Sequence, residues 1–200
     1  ATKCLTTGEG GMITTGDDEL ADKARRLRIH GFDRNVFDRY TNIKTGWRYD
    51  VSAAGWKANL TDLAAALGLI QLERAEEMRE ARARVAKRYT EAFSTVPGIT
   101  TPKFDPGSSW HLYPIQVDER DAFIEDMASR GVQCSVHFIP LHLHSYWSDV
   151  LRLTADAPKA EAIFRRSVSL PIYSTMTDKM VEAVISAVLS VMEARDAGRA

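Results

Sequence analysis

Apolar residues recur at intervals of three and four in three stretches of the chain, which is the spacing of an amphipathic helix. The first predicted helix begins near Asp18 and ends at His30 and Gly31. The second stretch, residues 59–94, predicts one long helix or two abutting helices, and we interpret its heavily charged second half as a solvated face. The last helix spans residues 178–194, and Thr177 is its predicted N-cap.

Segments of β-prone residues alternate with shorter helices in the rest of the chain. Strands are predicted over residues 12–15, 110–117 and 132–138. Short helices are predicted over residues 120–130 and 159–168. Strands and helices mixed in this way predict an α/β fold.

The composition describes a globular chain of 200 residues, 44% of them hydrophobic. The 26 basic residues nearly balance the 27 acidic ones, so nothing indicates a nucleic acid or an anionic membrane as a partner. No apolar run approaches the roughly 20 residues that span a bilayer. Two cysteines, Cys4 and Cys134, are too few for a disulfide framework, and we expect a cytoplasmic protein.

Lys3 stands just before a glycine-rich segment, in which residues 8–11 are Gly-Glu-Gly-Gly. A turn of this kind packs backbone closely and leads into the predicted strand over residues 12–15. A lysine amine attacks a carbonyl only when it is unprotonated, and burial or neighbouring cations favour that state. The residues alone leave a second interpretation open, in which Lys3 is a solvated charge near the start of the chain.

The opening segment, from Ala-Thr-Lys to Gly-Glu-Gly-Gly, resembles the lysine motif of the DegT/StrS-type sugar aminotransferases. The family pattern is Ser-Phe-x-Ala-Thr-Lys-x-Leu-x-x-Gly-Glu-Gly-Gly. Further segments are similar to the family in the same order along the chain. They are Arg28-Ile29-His30-Gly31, residues 55–68, Trp110-His111-Leu112-Tyr113, residues 136–142 and Ser169-Leu170-Pro171-Ile172-Tyr173.

This resemblance implies the C-terminal half of a fold-type-I pyridoxal phosphate (PLP) transferase, a fold of the α/β class. Residues 1–72 would form the end of the large PLP-binding domain. Residues 73–200 would form a linking helix and the small C-terminal α/β domain. Because the chain opens inside the family motif, we expect it to be part of a longer enzyme.

The resemblance also implies which residues hold the cofactor. Lys3 would form the Schiff base with PLP. Lys57 or Asn59 would reach the phosphate of the other subunit's site, so the enzyme would be a homodimer with shared active sites. Asn59 is also a candidate helix N-cap, with Asp62 placed as in a capping box. His30 would lie at the cofactor's edge, although at a helix C-terminus it also suits the helix dipole.

Substrate contacts are implied for two further segments. Trp47, Arg48 and Tyr49 resemble an aromatic segment that contributes to substrate and dimer contacts in relatives, and the planar fork of Arg48 suits a diphosphate. His137 and His142 belong to a loop that resembles His-Tyr-x-Pro-Leu-His, in which the second histidine lies near the sugar nucleotide.

The histidines in this loop also raise a metal hypothesis. His137, His142 and His144 fall within eight residues, and zinc is commonly held by histidines so spaced. Pro140 redirects the chain between them, so the three rings need not converge. We therefore predict no metal.

The resemblance implies an aminotransferase that converts a nucleotide-linked ketosugar to an aminosugar, with PLP as cofactor and glutamate as amino donor. Two other classes stay open. One is a sugar dehydratase of the same fold, although such relatives usually have histidine where this chain has Lys3. The other is a non-catalytic binding or regulatory member. A cyclitol ketone is the alternative substrate.

Overall fold

Contacts within the chain divide it into two units. The structure is a computed structural model and describes residues 3–33 and 49–198. One unit is made by the described part of Leu5–Glu73. The other contains Lys3 and Cys4 together with the described residues from Arg74 onward. The predicted domain division after residue 72 stays a prediction.

The described part of the first unit contains two helices. Helix α1, Asp18–Leu27, begins as predicted, and the Asp17 carboxylate caps it by accepting a hydrogen bond from the Leu20 amide at 3.0 Å. Helix α2, Asp62–Glu73, is apolar on all sides and has no fully buried residue.

The predicted strand over residues 12–15 is wrong. This segment makes no ladder with any described residue, and Met12 is 81% exposed. High β-propensity yields a strand only when a neighbouring strand accepts and donates the backbone hydrogen bonds. Within the described part of the chain, no such partner lies beside residues 12–15.

The long stretch from residue 59 to 94 contains two abutting helices, which is one of the two predicted arrangements. Arg74, with φ −97° and ψ 5°, leaves helical geometry and separates α2 from α3, Ala75–Phe93. Helix α3 buries one stripe of side chains. These are Met78, Arg82, Val85, Ala86, Tyr89 and Phe93.

The second unit contains a three-stranded antiparallel sheet. Its strands are β1, Ile99–Thr100, β2, Tyr113–Val117, and β3, Ser167–Leu170, in the order β1-β2-β3. Ile115 of β2 lies opposite Val168 of β3. All four residues of β3 are buried, although its sequence Ser-Val-Ser-Leu alternates polar and apolar residues. The alternation covers only four residues, and the first two of them fall inside the helix predicted over residues 159–168.

The remaining helices of the second unit are α4, Arg120–Ser129, α5, Pro158–Arg166, and α6, Asp178–Ala197. A 3₁₀ turn at Leu141–Leu143 and a π turn at Tyr146–Val150 precede α5. The predicted N-cap is confirmed, because the Thr177 hydroxyl accepts a hydrogen bond from the Met180 amide at 3.3 Å. Among the described residues, none of the helices combines the length and apolar character needed to span a bilayer.

The predicted strand over residues 132–138 shrinks to one bridge. Ser135 exchanges two backbone hydrogen bonds with Ser169 of β3, at 3.1 and 2.7 Å. The pairing does not continue on either side of this residue pair. The segment therefore lies along the edge of the sheet and carries His137 two residues beyond the bridge.

A hydrophobic core in the second unit joins α3, α4 and α6 to the sheet. Its largest fully buried side chains are Tyr89, Tyr113, Phe93, Phe123, Ile115 and Met127. Tyr89 and Tyr113 meet edge to face with ring centroids 5.2 Å apart. Burial raises the pKa of Tyr113 to about 12, so this phenol stays neutral and packs as part of the core.

Candidate active site

Lys3 is exposed and lies beside the loop that precedes β2. The next residue, Cys4, is partly buried, and its thiol Sγ donates a hydrogen bond to the Ser109 carbonyl at 3.1 Å. This contact joins the two segments across 105 positions of the sequence. It places the lysine segment next to Trp110 and His111.

The loop before β2 is held in place largely by Trp110. The indole Nε1 donates to the Asp105 carbonyl at 2.9 Å, and the ring stacks on Phe104 at 5.6 Å between centroids. Trp110 is buried and has a positive φ of 45°, a conformation that persists in a non-glycine residue only when its surroundings impose it. The backbone leading to His111 is therefore fixed.

Arg82 holds the same loop from α3. Its side chain is 7% exposed, and Nη1 donates to the Ile172 carbonyl at 3.0 Å and lies 3.5 Å from the Trp110 carbonyl. Its Nε is buried and has no hydrogen-bond partner among the described residues. The interpretation of the charged half of α3 as a solvated face is therefore wrong at Arg82. This position continues the apolar stripe between Met78 and Val85.

His111 shares an electrostatic environment with Lys3. Burial, followed by the positive charges of Lys3, Arg82 and His137, lowers the pKa of His111 below its ordinary value. Each of the three charges acting on it is a cation. The imidazole is consequently neutral near pH 7 and offers one donor and one acceptor nitrogen.

His137 is oriented by β3. Its Nδ1 lies 2.9 Å from the buried Ser169 hydroxyl, and this contact holds one edge of the half-buried ring. The structure thus brings three imidazole or ammonium groups into one electrostatic neighbourhood, namely Lys3, His111 and His137.

His142 makes different contacts. Its Nε2 lies 3.2 Å from the Glu161 carboxylate of α5, and Glu161 also binds Arg165 at 3.1 Å. The exposed His144 is tilted against Trp147 at 6.2 Å between ring centroids. The described residues contain no group of three histidine, cysteine or acidic side chains placed to hold a metal ion.

Two backbone segments cross closely in the first unit. The His30 amide donates to the Trp56 carbonyl at 2.9 Å. Gly31 has a φ of +76°, and a Cβ there would lie 1.9 Å from the Ala53 carbonyl oxygen. A Cβ on Gly55 would lie 2.3 Å from the Gly31 nitrogen. Only glycine fits at these two positions.

This crossing places His30 and Lys57 near each other in the fold. Ile29 and Lys57 form an isolated antiparallel bridge, so His30, which follows Ile29, lies beside Trp56, which precedes Lys57. The side chains of His30 and Lys57 are exposed. His30 also packs on Phe32, which in turn contacts Tyr49 at 4.6 Å between ring centroids.

The neighbouring predicted residues Trp47 and Arg48 lie outside the residues that the structure describes. Their predicted substrate contacts remain predictions. Tyr49 is described and is 47% exposed.

The alternative role of Asn59 as a helix N-cap is wrong. Helix α2 begins at Asp62, and the Thr61 hydroxyl accepts a hydrogen bond from the Ala64 amide at 3.2 Å. Thr61 is therefore the N-cap, two residues after Asn59. The exposed Asn59 side chain is left available for another role.

Two residues near Lys3, His111 and Arg82, had no functional role predicted from the sequence. His111 belongs to the Trp-His-Leu-Tyr segment that supported the resemblance, but neither its spacing nor its type distinguished it from a core residue. Arg82 was detectable, because it occupies the helical position between Met78 and Val85 that an apolar residue would normally fill.

The described residues fit a PLP group by their chemistry. Lys3 supplies an exposed amine. Lys57 and Asn59 supply exposed donors of the kind that bind phosphate. These donors belong to the first unit and Lys3 belongs to the second.

The sequence model of the DegT/DnrJ/EryC1/StrS aminotransferase family matches residues 1–189. The chain belongs to this family. The predicted family is therefore confirmed.

Individual relatives agree with this assignment. The chain is 43% identical over 206 residues to the spore coat polysaccharide biosynthesis protein SpsC of Bacillus subtilis, covering 98% of this chain and 53% of SpsC. It is similar to the crystal structure of the aminotransferase TlmJ from Streptoalloteichus hindustanus, with a TM-score of 0.82 and 33% identity. That match covers 97% of this chain and 50% of TlmJ. The predicted fold class is confirmed.

A third relative bears on the cofactor. The structure of Spr1654 from Streptococcus pneumoniae in its PLP-form matches with a TM-score of 0.75 and 27% identity, over 92% of this chain and 46% of Spr1654. Spr1654 has also been solved in a PMP-form. PLP, the predicted cofactor, is the cofactor of the family. The chain spans about half the length of the relatives it matches.

Proposed function

We propose that this chain is part of a PLP-dependent aminotransferase that converts a nucleotide-linked ketosugar to an aminosugar, with glutamate as amino donor. The observation that carries the proposal is an exposed lysine within the family motif, held by Cys4 beside the loop that leads to Trp110 and His111. Carbonyl chemistry requires a primary amine at this position, which Lys3 supplies.

Lys3 has two tasks in this proposal. Its Nζ would hold the cofactor covalently, and as a free amine it would accept and return the proton that the substrate carbon loses. PLP itself supplies an electron sink, which takes up the electron pair left on the substrate carbon when its proton is removed. The neutral imidazole of His111 can accept or donate a hydrogen bond without adding a positive charge near Nζ.

The remaining predicted residues hold cofactor and substrate. Lys57 and Asn59 bind the phosphate in the partner subunit's site, and His30 lies at the cofactor's edge. His137 and His142 contact the sugar nucleotide, together with the segment Trp47, Arg48 and Tyr49. The ordered His137 ring and the fixed crossing at His30 support this division of tasks, since binding groups are effective when their backbone is rigid.

Other functions predict different chemistry at Lys3. A dehydratase of this fold would not need a lysine there, and a non-catalytic member would have no covalent cofactor. An aminotransferase for a cyclitol ketone would attach PLP in the same way but accept a different ketone. The predicted cytoplasmic location stays a prediction.

The test is reduction of the PLP-treated whole enzyme with borohydride, followed by peptide mass mapping. We expect the pyridoxyl mass on Lys3. Its recovery only on Lys23 or Lys57 would contradict the proposal. Transamination with glutamate is then assayed on a panel of nucleotide ketosugars and one cyclitol ketone, which separates the two substrate classes.

A further inference from the structure

Cys4 and Arg82 contact consecutive residues of the same loop. Cys4 donates to the Ser109 carbonyl at 3.1 Å, and Arg82 contacts the carbonyl of the next residue, Trp110. Both contacts run from a side chain to a backbone oxygen. They therefore hold the backbone in position and leave the loop's side chains unpaired by them. The residue directly before Cys4 is Lys3.

Nothing else among the hydrogen bonds of the described residues ties Lys3 or Cys4 to the second unit. The Lys3 side chain is exposed, so its own packing does not fix it. A flexible segment this close to Lys3 would leave the amine free to sample many positions, and ordering it at each encounter would slow any reaction at Nζ.

We propose that Cys4 is a positioning residue for Lys3, holding the lysine segment on the Ser109 carbonyl, and that Arg82 supports it by holding the loop that carries this carbonyl. The inference rests on the proposed function of Lys3 as the cofactor-bearing amine. It assigns Cys4 a role as a hydrogen-bond donor and none as a nucleophile.

Arg82 is buried, and its contacts hold the loop that carries the Ser109 carbonyl. A guanidinium this deeply buried is costly to keep without a carboxylate beside it, and the hydrogen bonds that Arg82 makes to described residues all go to backbone carbonyls. The Ile172 contact at 3.0 Å anchors the side chain after β3, and the Trp110 contact extends this anchor to the lysine loop.

The experiment compares Cys4→Ala with Cys4→Ser in the whole enzyme. Alanine removes the donor, whereas a serine hydroxyl can still donate to the Ser109 carbonyl. We expect Cys4→Ala to slow covalent attachment of PLP to Lys3 by about 3- to 10-fold, the effect of losing one hydrogen bond, and Cys4→Ser to restore it. Attachment is followed by visible absorbance and verified by borohydride trapping.

A second readout needs no cofactor. In the free protein, the backbone order parameters of residues 3–5 should fall below about 0.6 in Cys4→Ala and stay near the wild-type values in Cys4→Ser. Attachment at the wild-type rate with unchanged order parameters in Cys4→Ala would overturn the proposal. An equal loss in both variants would overturn it as well.

Arg82 is tested against a matched control on the same helix. Arg82→Met should slow attachment as Cys4→Ala does, whereas Arg84→Met, which changes an exposed arginine, should not. Melting curves identify any variant that fails to fold, and the cysteine pair decides the matter in that case. If PLP never attaches to Lys3 in any variant, the proposed function fails, while the order parameters still test the anchoring by Cys4.

Discussion

At the scale of single residues, the surroundings of His111 lower the pKa of its imidazole. Its lowered pKa arises first from burial and then from three cations, one of which is Lys3. An unfolded chain therefore binds a proton at His111 at a higher pH than the folded chain does. Folded stability should be greatest above the unfolded pKa of about 6.5 and should decrease as the pH falls through it.

Lys3→Ala should raise the titration midpoint of His111, because it removes one of the cations that disfavour a charged imidazole. The measurement is a titration of the histidine ring signals by NMR. Lys103→Ala is the control, since Lys103 is exposed and is not among the charges that act on His111. An unchanged midpoint in Lys3→Ala would show that the lysine does not share this environment.

His142→Ala should raise KM for the ketosugar by about 3- to 10-fold, the effect of losing one substrate hydrogen bond, and leave the half-reaction with glutamate nearly unchanged. The substitution also removes the partly exposed hydrogen bond between His142 and Glu161, which should lower stability by about 0.5 to 1.5 kcal/mol. His144→Ala is the control. Loss of stoichiometric zinc together with unfolding would instead favour a structural metal.

The contrast between Lys3 and Arg82 shows what residue patterns can predict. Lys3 was found because a specific motif surrounds it, whereas its contact through Cys4 joins residues 105 positions apart and leaves no trace in local sequence. Arg82 lies within a run of exposed charges. Its burial follows only from the helical phase of its neighbours, which composition does not reveal.

At the scale of elements, the close crossing in the first unit carries two of the predicted cofactor residues. Gly55 lets its segment approach the backbone after α1, and Lys57 follows two residues later. Gly55→Ala should reduce stability by about 1 to 3 kcal/mol, because the added methyl overlaps backbone atoms that have no room to move. Denaturant unfolding measures the change.

Gly16→Ala is the matched control for this substitution. Gly16 lies in the same unit, and a Cβ there meets no atom within 4 Å. Its effect should stay within about 0.5 kcal/mol. Equal effects of the two substitutions would show that the crossing is not close-packed.

Near the start of α2, Thr61 has a structural role as the N-cap, and Asn59 has the proposed binding role. Thr61→Ala should destabilise the protein by about 0.5 to 2 kcal/mol, since it removes the N-cap hydrogen bond to the Ala64 amide. Asn59→Ala should leave stability nearly unchanged and weaken PLP binding. Thermal unfolding and PLP titration of both variants measure the two effects, and the opposite pattern would return the cap to Asn59.

Helices were better predicted than strands in this chain because their signal is local. The 3.6-residue period of α1, α3 and α6 is written in consecutive residues, and the cap at Thr177 lies beside its helix. A strand depends on its partner. Residues 12–15 have β-prone side chains without a partner in the described part of the chain. Strand β3 has only four residues, so its alternation is too short to outweigh the helix predicted over residues 159–168.

At the scale of the whole molecule, the first unit carries much uncovered apolar surface. Leu63 is 87% exposed, and Leu69 and Leu72 are each 63% exposed on α2. A helix that is apolar on all sides is normally buried on all sides. The chain spans about half the length of its relatives, and a homodimer with shared sites would cover part of this surface.

Shared sites predict complementation between two inactive variants. Lys3→Ala removes the proposed cofactor-bearing amine, and the double variant Lys57→Ala with Asn59→Ala removes the proposed phosphate donors. If these donors act in the partner subunit's site, one site of each mixed dimer receives both lesions and the other receives none. Random exchange makes about half of the dimers mixed, so about a quarter of wild-type activity should return.

The control places all three substitutions on one chain and mixes it with Lys3→Ala. No dimer in this mixture contains Lys3, so no activity should return, and any activity seen would measure contamination. Native mass spectrometry verifies that subunits have exchanged. Verified exchange without recovery in the first mixture would mean that Lys57 and Asn59 serve the same subunit as Lys3, because each mixed dimer would then have a lesion in both sites.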